Sequence, residues 1–284
     1  MLRAAAFAAA LIAACPAAAQ DWRPLDPENT LVIDTTKGRM IVEMRPELAP
    51  KAVERIKLLA RERVYDGLQF HRVIEGFVAQ TGNPNNKDGG VSRHPDLEPE
   101  FTFKLPMRPP PVGEPGSADL VPQPVFHVLL PFDVVAQPSE GWEGLSGVVP
   151  VVGEIVRGFA GHFRGWGAYC TGVAGMGRQA DPGSANSEIF FMLEPERRLD
   201  HDYTVWGRIV VGQDVLGSLA VGEPPARPDV MTRVRLAAEL PVAERPRVEV
   251  EDGTALRRRI DAARVAKGAD FSVCDVQPAA RVLP

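Results

Sequence analysis

The sequence feature that most constrains the fold is a run of alternating apolar and polar residues in the first third of the chain. Residues 70–82 read Phe-His-Arg-Val-Ile-Glu-Gly-Phe-Val-Ala-Gln-Thr-Gly. The alternation continues on both sides of the Glu75-Gly76 pair, which predicts two short strands joined by a turn. Because side chains on a strand alternate between its two faces, Arg72 and Gln80 are expected to meet large apolar residues in one small patch. No nucleophile with an adjacent base lies in this run.

The composition is typical of a globular protein with a sizeable core. The 284 residues are 45% hydrophobic and 24% charged. The net charge of -5 gives no electrostatic basis for binding nucleic acid. Beyond the N-terminus, no run approaches the roughly 20 apolar residues that a membrane span needs. We therefore expect neither a nucleic-acid partner nor a transmembrane helix.

The first residues carry the pattern of an export signal. Arg3 precedes an apolar run over 4–14, and Ala17-Ala18-Ala19 resembles a signal-peptidase site. This predicts a signal peptide over 1–19 and a periplasmic or otherwise exported protein. Two alternatives stay open. Cys15 ends a lipobox-like sequence and could carry a lipid anchor, or the segment could be a short buried helix.

Export bears on the remaining cysteines, Cys170 and Cys274. In an oxidising compartment such a pair is a candidate disulfide, and two buried free thiols are the alternative. The potential ligands are too scattered along the sequence to favour a metal site, and no cofactor is expected.

The segments around the alternating run have periodicities of their own. Residues 31–44 alternate as a hairpin, and a helix is predicted to begin at Pro50 and to end near residues 65–67. The apolar stripe of this helix is expected to lie across the core, and it consists of Val53, Ile56, Leu59 and Ala60. A further strand is predicted over 98–103 and a second short helix over 215–220.

A proline-rich segment interrupts these patterns. Residues 105–164 contain many prolines, which disfavour regular ladders, yet they include apolar runs at 125–135 and 148–159. We expect an insertion that packs on the rest of the fold and resists proteases. The alternative is a surface elaboration with no role in binding.

Residues 223–284 are expected to form an extension that packs on the same unit. Their pattern predicts a strand over 234–240, a helix over 253–266 and a closing strand over 271–276. The Arg257-Arg258-Arg259 run is interpreted as a solvated helix face, with an anion site as the alternative.

The alternating run resembles the signature of the cyclophilins, the barrel-shaped peptidyl-prolyl cis-trans isomerases, with Val78 in place of the usual methionine. Further stretches are similar to later motifs of that family, namely 172–178, 184–191, 199–200 and 203–210. The resemblance covers 31–103 and 165–222. It implies a mainly β fold, a closed antiparallel cyclophilin-like β-barrel with two capping helices, formed by residues 21–222 around the central insertion.

The resemblance also implies a reaction, the rotation of Xaa–Pro bonds in unfolded or proline-exposing client polypeptides. The catalytic residues that it implies are Arg72, which donates to the twisted proline nitrogen, and Gln80, which binds the substrate backbone or holds Arg72. The substrate-binding residues that it implies are Phe77, Val78, Gly177, Arg178, Glu188, Phe190, Leu199 and Tyr203. Such catalysis requires neither a metal nor a cofactor.

One residue departs from the family pattern in a way that matters for function. Glu188 stands where a glutamine is usual, and it either orients Arg72 or competes for it. A second class of function therefore stays open, a non-catalytic module that binds proline-containing chains as a chaperone. A hydrolase built on His71, Ser187 and Asp200 is disfavoured because the sequence contains no Gly-x-Ser-x-Gly elbow.

Overall fold

Strands dominate the part of the chain that the structure describes. The structure is a computed structural model, and it describes residues 21–106, 134–139 and 162–284. In chain order the strands are β1 (Trp22–Pro24), β2 (Thr30–Thr35), β3 (Gly38–Met44), β4 (Arg72–Ile74), β5 (Val78–Thr81), β6 (Phe103–Pro106), β7 (Val134–Ser139), β8 (His162–Gly167), β9 (Val173–Met176), β10 (Ile189–Met192), β11 (Val205–Val211), β12 (Met231–Leu236), β13 (Val248–Glu251) and β14 (Ala280–Val282). The helices are α1 (Pro50–Arg61), α2 (Gln213–Gly217) and α3 (Thr254–Lys267).

The main sheet has eight strands in the order β12-β2-β3-β11-β9-β10-β5-β4. Every neighbouring pair is antiparallel. The register shifts on both sides of β11, and such bulges increase local twist, so the sheet curls strongly into a half-barrel. The two edge strands, β12 and β4, share no ladder, so a closed barrel stays a prediction.

Helix α1 covers the core of this curled sheet, as its apolar stripe predicts. Its four stripe residues are all buried. Pro50 begins the helix, where a missing N–H costs nothing. The carboxylate of Glu100 accepts the backbone N–H groups of Lys51 and Ala52 at 3.0 and 2.8 Å, and so takes the place of a side-chain cap.

Two smaller sheets flank the main one. Strands β6, β8 and β7 form one of them, and β1, β13 and β14 form the other. The first sheet contains the described parts of the predicted insertion, which are its two ends in β6 and β8 and a central stretch in β7. Residues 107–133 and 140–161 lie outside the described residues, so the expected packing and protease resistance of 125–159 stay predictions. Among the described residues no helix is both long and apolar enough to cross a membrane.

Several predicted boundaries are wrong by a few residues. The strand predicted over 98–103 begins at Phe103, the second helix runs from Gln213 to Gly217, and the strand predicted over 234–240 runs from Met231 to Leu236. The helix predicted over 253–266 is confirmed as α3.

The closing strand predicted over 271–276 is wrong. Residues 273–275 form a 3-10 helix instead. The hydroxyl of Ser272 accepts the N–H of Cys274, and the carboxylate of Asp275 accepts the N–H of Ser272 at 2.7 Å. This capping box satisfies locally the donors that a strand would use, and the closing strand is β14.

Candidate active site

Arg72 and Gln80 meet because the first predicted hairpin forms. Strands β4 and β5 pair through a turn at Gly76, whose φ of +66° is the left-handed conformation that glycine adopts freely. In this register Arg72 lies directly opposite Gln80, and cross-strand partners share a face. The Nη1 of Arg72 donates a hydrogen bond to the Oε1 of Gln80. Gln80 therefore holds the guanidinium.

Glu188 acts on this pair from the far side of Gln80. The Nε2 of Gln80 donates to the Oε1 of Glu188 at 2.7 Å. A guanidinium can only donate hydrogen bonds and a carboxylate can only accept them, so a single orientation of the amide satisfies both neighbours. Glu188 thereby fixes the Gln80 carbonyl toward Arg72. Its direct contact is with Gln80, which fits an orienting role better than a competing one.

The carboxylate of Glu188 is buried, and its second oxygen accepts from the Nδ2 of Asn83. Burial raises the pKa of Glu188 from its ordinary 4.5, and the charge of Asp88 adds to this rise. The hydrogen bonds from Asn83 and Gln80 oppose it. His71 Nε2 lies 3.7 Å from the same carboxylate, but burial lowers the pKa of His71 from 6.5, so the imidazole is neutral at pH 7 and forms no ion pair.

Gly177 is required where it stands. A Cβ added to this glycine would lie 2.3 Å from the Oε1 of Glu188, closer than real Cβ atoms approach. The Gly177 N–H also donates to the backbone oxygen of Glu188 at 2.8 Å. The two residues thus pack directly against each other behind Gln80.

An apolar floor lies beside this polar row, with Phe190 at its centre. Phe190 occupies the position on β10 that faces Gln80 on β5. Its ring stacks on Tyr169 with centroids 5.7 Å apart and meets the edge of Tyr203 at 5.9 Å. The predicted pocket residues do gather here, since one cluster contains Val78, Phe190, Phe77, Leu199 and Tyr203.

Arg178 supports the rim of the floor. Its guanidinium carbon lies 4.3 Å from the ring centroid of Tyr203, a cation–π contact. It also donates to the backbone oxygens of Asp202, at 3.3 and 3.2 Å, and of Gln179, at 2.9 Å. These contacts hold the Tyr203 ring against Phe190.

Cys170 and Cys274 are joined by a disulfide, with their Cα atoms 5.1 Å apart. Both residues belong to the cluster around Phe190. The disulfide therefore links the C-terminal part of the chain to the cluster around Phe190 that forms the apolar floor.

The hydrolase alternative has no geometric basis. Among the residues that the structure describes, neither ring nitrogen of His71 has a hydrogen-bond partner, and the same is true of the hydroxyl of Ser187. The carboxylate of Asp200 accepts instead from the Tyr169 N–H at 3.0 Å and from the Arg197 Nε at 2.6 Å. No relay of protons connects the three residues. Within the described ranges there is also no group of three or more potential metal ligands.

Sequence reasoning missed three residues that contact the site. Asn83 lies in a turn-rich stretch, Tyr169 precedes a cysteine, and Glu223 is the first residue of the predicted extension over 223–284. The Oε2 of Glu223 accepts from the Nε of Arg72 at 2.6 Å. Only Tyr169 carried a usable signal, as an aromatic residue beside a cysteine predicted to form a disulfide.

Comparisons with known proteins agree with this geometry. Residues 30–236 match the family described as cyclophilin type peptidyl-prolyl cis-trans isomerase/CLD. A probable peptidyl-prolyl cis-trans isomerase of Brucella suis is 31% identical over 254 residues, which are 84% of this chain and 97% of that one. A Helicobacter pylori peptidyl-prolyl cis-trans isomerase is 47% identical over 62 residues, which are 22% of this chain and 38% of that one. The crystal structure of a cyclophilin from Hirschia baltica superposes with a TM-score of 0.68 at 27% identity, and the match covers 92% of this chain and 93% of that one.

A curled, mainly β sheet with an arginine held above an aromatic floor defines a cyclophilin-like class of protein. This chain belongs to the family of cyclophilin-type peptidyl-prolyl cis-trans isomerases. It is accordingly an enzyme of the isomerase class.

Proposed function

We propose that the enzyme accelerates Xaa–Pro rotation by donating a hydrogen bond from Arg72 to the proline nitrogen. Amide resonance sets the barrier to this rotation at about 18–20 kcal/mol. In the twisted state the nitrogen becomes pyramidal and its lone pair can accept a hydrogen bond, which the planar ground state cannot do. A donor at that position therefore stabilises the transition state selectively, which is the condition for raising kcat.

The observation that carries this proposal is that the guanidinium of Arg72 is held by a hydrogen bond beside the apolar floor. Gln80 fixes one of its nitrogens, and Glu188 fixes Gln80. The cluster around Phe190 supplies a surface that suits a proline ring. We assign Phe77, Phe190, Leu199 and Tyr203 to proline binding, with Val78, Gly177, Arg178 and Glu188 supporting them.

The finer features of the molecule belong to the same proposal. We propose that the barrel closes between β4 and β12, because an isolated bridge joins Gln69 to Val230 and the Phe70 N–H donates to the Asp229 oxygen at 2.9 Å. We also propose that the clients are proline-containing polypeptides outside the cytoplasm. The export signal over 1–19, which lies outside the described residues, and the joined cysteines support this location.

Replacing Arg72 tests the mechanism directly. Arg72→Ala should lower kcat/KM for a short Xaa-Pro peptide by about 10²–10³, the effect of losing one preorganised donor. Arg72→Lys should restore little activity, because an ammonium lacks the planar fork of donors. Arg61, which forms an ion pair with Glu239 on the outer surface of α1, offers the matched control, and Arg61→Ala should keep wild-type kinetics. Wild-type exchange rates in Arg72→Ala would disprove the mechanism.

The alternative of a non-catalytic binding module is tested in the same series. Peptide affinity should survive Arg72→Ala and should fall in Phe190→Ala, because Phe190 forms the centre of the floor. A wild-type protein that binds proline peptides but leaves their exchange rate unchanged would replace the isomerase proposal with the chaperone one.

A further inference from the structure

The guanidinium of Arg72 has a second fixed contact, made by a residue far along the chain. Its Nε donates to the Oε2 of Glu223 at 2.6 Å. The side chain of Arg72 is 32% exposed and that of Glu223 is 54% exposed, so the pair lies at the rim of the site. The resemblance to the cyclophilins assigns no role to Glu223.

The backbone brings Glu223 to this place by a well-anchored route. Val73, the residue after Arg72, exchanges two backbone hydrogen bonds with Gly222, at 2.8 and 2.9 Å. The path at Gly222 admits no side chain, because an added Cβ would lie 2.5 Å from the Cα of Pro225. The segment is also held at Ala220, whose N–H donates to an Asp229 carboxylate oxygen at 2.8 Å. Glu223 is therefore presented to Arg72 by the fold itself.

Two contacts on a planar group determine its orientation. Glu223 holds the Nε of Arg72, and Gln80 holds Nη1. The guanidinium is rigid and planar, so fixing these two nitrogens fixes the direction of its remaining N–H groups. With the hydrogen bond from Nη1 to Gln80 alone, the guanidinium could still rotate about the axis of that hydrogen bond.

We propose that Glu223 is a positioning residue of the isomerase, which sets the plane of the Arg72 guanidinium from the side opposite Gln80. The proposal rests on the proposed role of Arg72 as the donor to the proline nitrogen. A donor that is already held in its working geometry needs no reorganisation free energy during the reaction. Glu223 should therefore increase kcat.

Neutralising the carboxylate is the first test. Glu223→Gln should lower kcat for the peptide about three- to tenfold and leave KM nearly unchanged, because a half-exposed charge pair is a modest interaction. Glu223→Asp keeps the charge on a shorter side chain and should recover part of the loss. The matched control is Glu239→Gln, which removes another carboxylate that accepts from an arginine Nε at 2.6 Å, that of Arg61. This control should keep wild-type kinetics.

A spectroscopic signal separates positioning from a general structural effect. In ¹⁵N NMR the Nε–Hε resonance of Arg72, assigned by its loss in Arg72→Lys, should move and exchange faster with water in Glu223→Gln. It should not move in Glu239→Gln. The melting temperatures of both variants should stay within about 3 °C of wild type, as expected for exposed ion pairs.

The outcomes distinguish this inference from the proposal on which it rests. Unchanged kcat together with an unmoved Arg72 resonance in Glu223→Gln would overturn the positioning role alone. A higher kcat in that variant would also overturn it, because Glu223 would then compete with the substrate for Arg72. If wild type is inactive, or if Arg72→Ala retains full activity, the proposed function itself fails and the role of Glu223 fails with it.

Discussion

At the scale of single residues, the site depends on a row of side chains whose donors and acceptors fit in one arrangement. The carboxylate of Glu188 accepts from Gln80 with one oxygen and from Asn83 with the other. A glutamine at this position has only one acceptor oxygen. Its own NH2 group would then face the NH2 group of either Gln80 or Asn83, and two donors cannot form a hydrogen bond with each other. The glutamate thus suits the Asn83 of this chain, although burial disfavours its charge and raises its pKa.

Glu188→Gln should therefore change how stability depends on pH. Because the pKa of Glu188 is raised in the folded state, the folded protein binds more protons than the unfolded chain above about pH 4.5. Wild type should lose free energy of unfolding as pH rises through this window, and the variant should lack that loss. Urea unfolding at pH 4 and pH 7 measures this effect. Relative to wild type, the variant should have a higher free energy of unfolding at pH 7 than at pH 4. A constant difference between the two proteins would contradict the burial of a charge at Glu188.

At the scale of elements, the same substitution should be damaging at one glycine and harmless at another. Gly177 follows β9 and packs against Glu188, so Gly177→Ala forces that carboxylate to move. Gly217 ends α2, and no atom of the described part of the chain lies within 4 Å of an added Cβ. Overpacking typically costs about 1–3 kcal/mol, whereas alanine is favoured over glycine in helices by up to about 1 kcal/mol.

We expect Gly177→Ala to lower stability and to reduce kcat/KM about tenfold through Gln80 and Arg72, with Gly217→Ala neutral or slightly stabilising and fully active. Thermal unfolding and the peptide assay measure both effects. Full activity in Gly177→Ala would show that the position of Glu188 does not matter to Arg72.

Sequence predicted those elements whose pattern is local. The alternation around Gly76 and the stripe on α1 specify their own burial, so β4 and β5 form as expected, and α1 begins at Pro50 as predicted but ends at Arg61, before the expected 65–67. The capping box at Ser272 overrode a β-like pattern with hydrogen bonds that periodicity does not reveal. Glu223 was missed for another reason. Its contact with Arg72 arises from the return of the chain past β4, which no short motif encodes.

At the scale of the whole molecule, the disulfide between Cys170 and Cys274 closes a loop with a sequence separation of 104 residues. Loop-closure entropy for about 100 residues corresponds to about 4–5 kcal/mol. The Cys170→Ser/Cys274→Ser variant should lose up to this amount in free energy of unfolding. Its KM should rise, because both cysteines pack on the cluster around Phe190.

Urea unfolding of the oxidised, reduced and doubly substituted proteins measures this effect. The reduced and the doubly substituted proteins should have the same unfolding midpoint. Equal unfolding midpoints for the oxidised and reduced proteins would contradict it. Mass-shift labelling of the denatured, unreduced protein provides the control, since it should find neither thiol free.

Strand β1 has one partner in its sheet, β13, to which it pairs from Trp22↔Glu251 to Pro24↔Glu249. A ribosome adds roughly 5–20 residues each second, so β1 waits on the order of ten seconds or more before its partner has been made. During that time its backbone N–H and C=O groups are open to any other extended chain. For this protein, the interval between the synthesis of β1 and that of β13 is therefore a period in which β1 can pair with a strand of another chain.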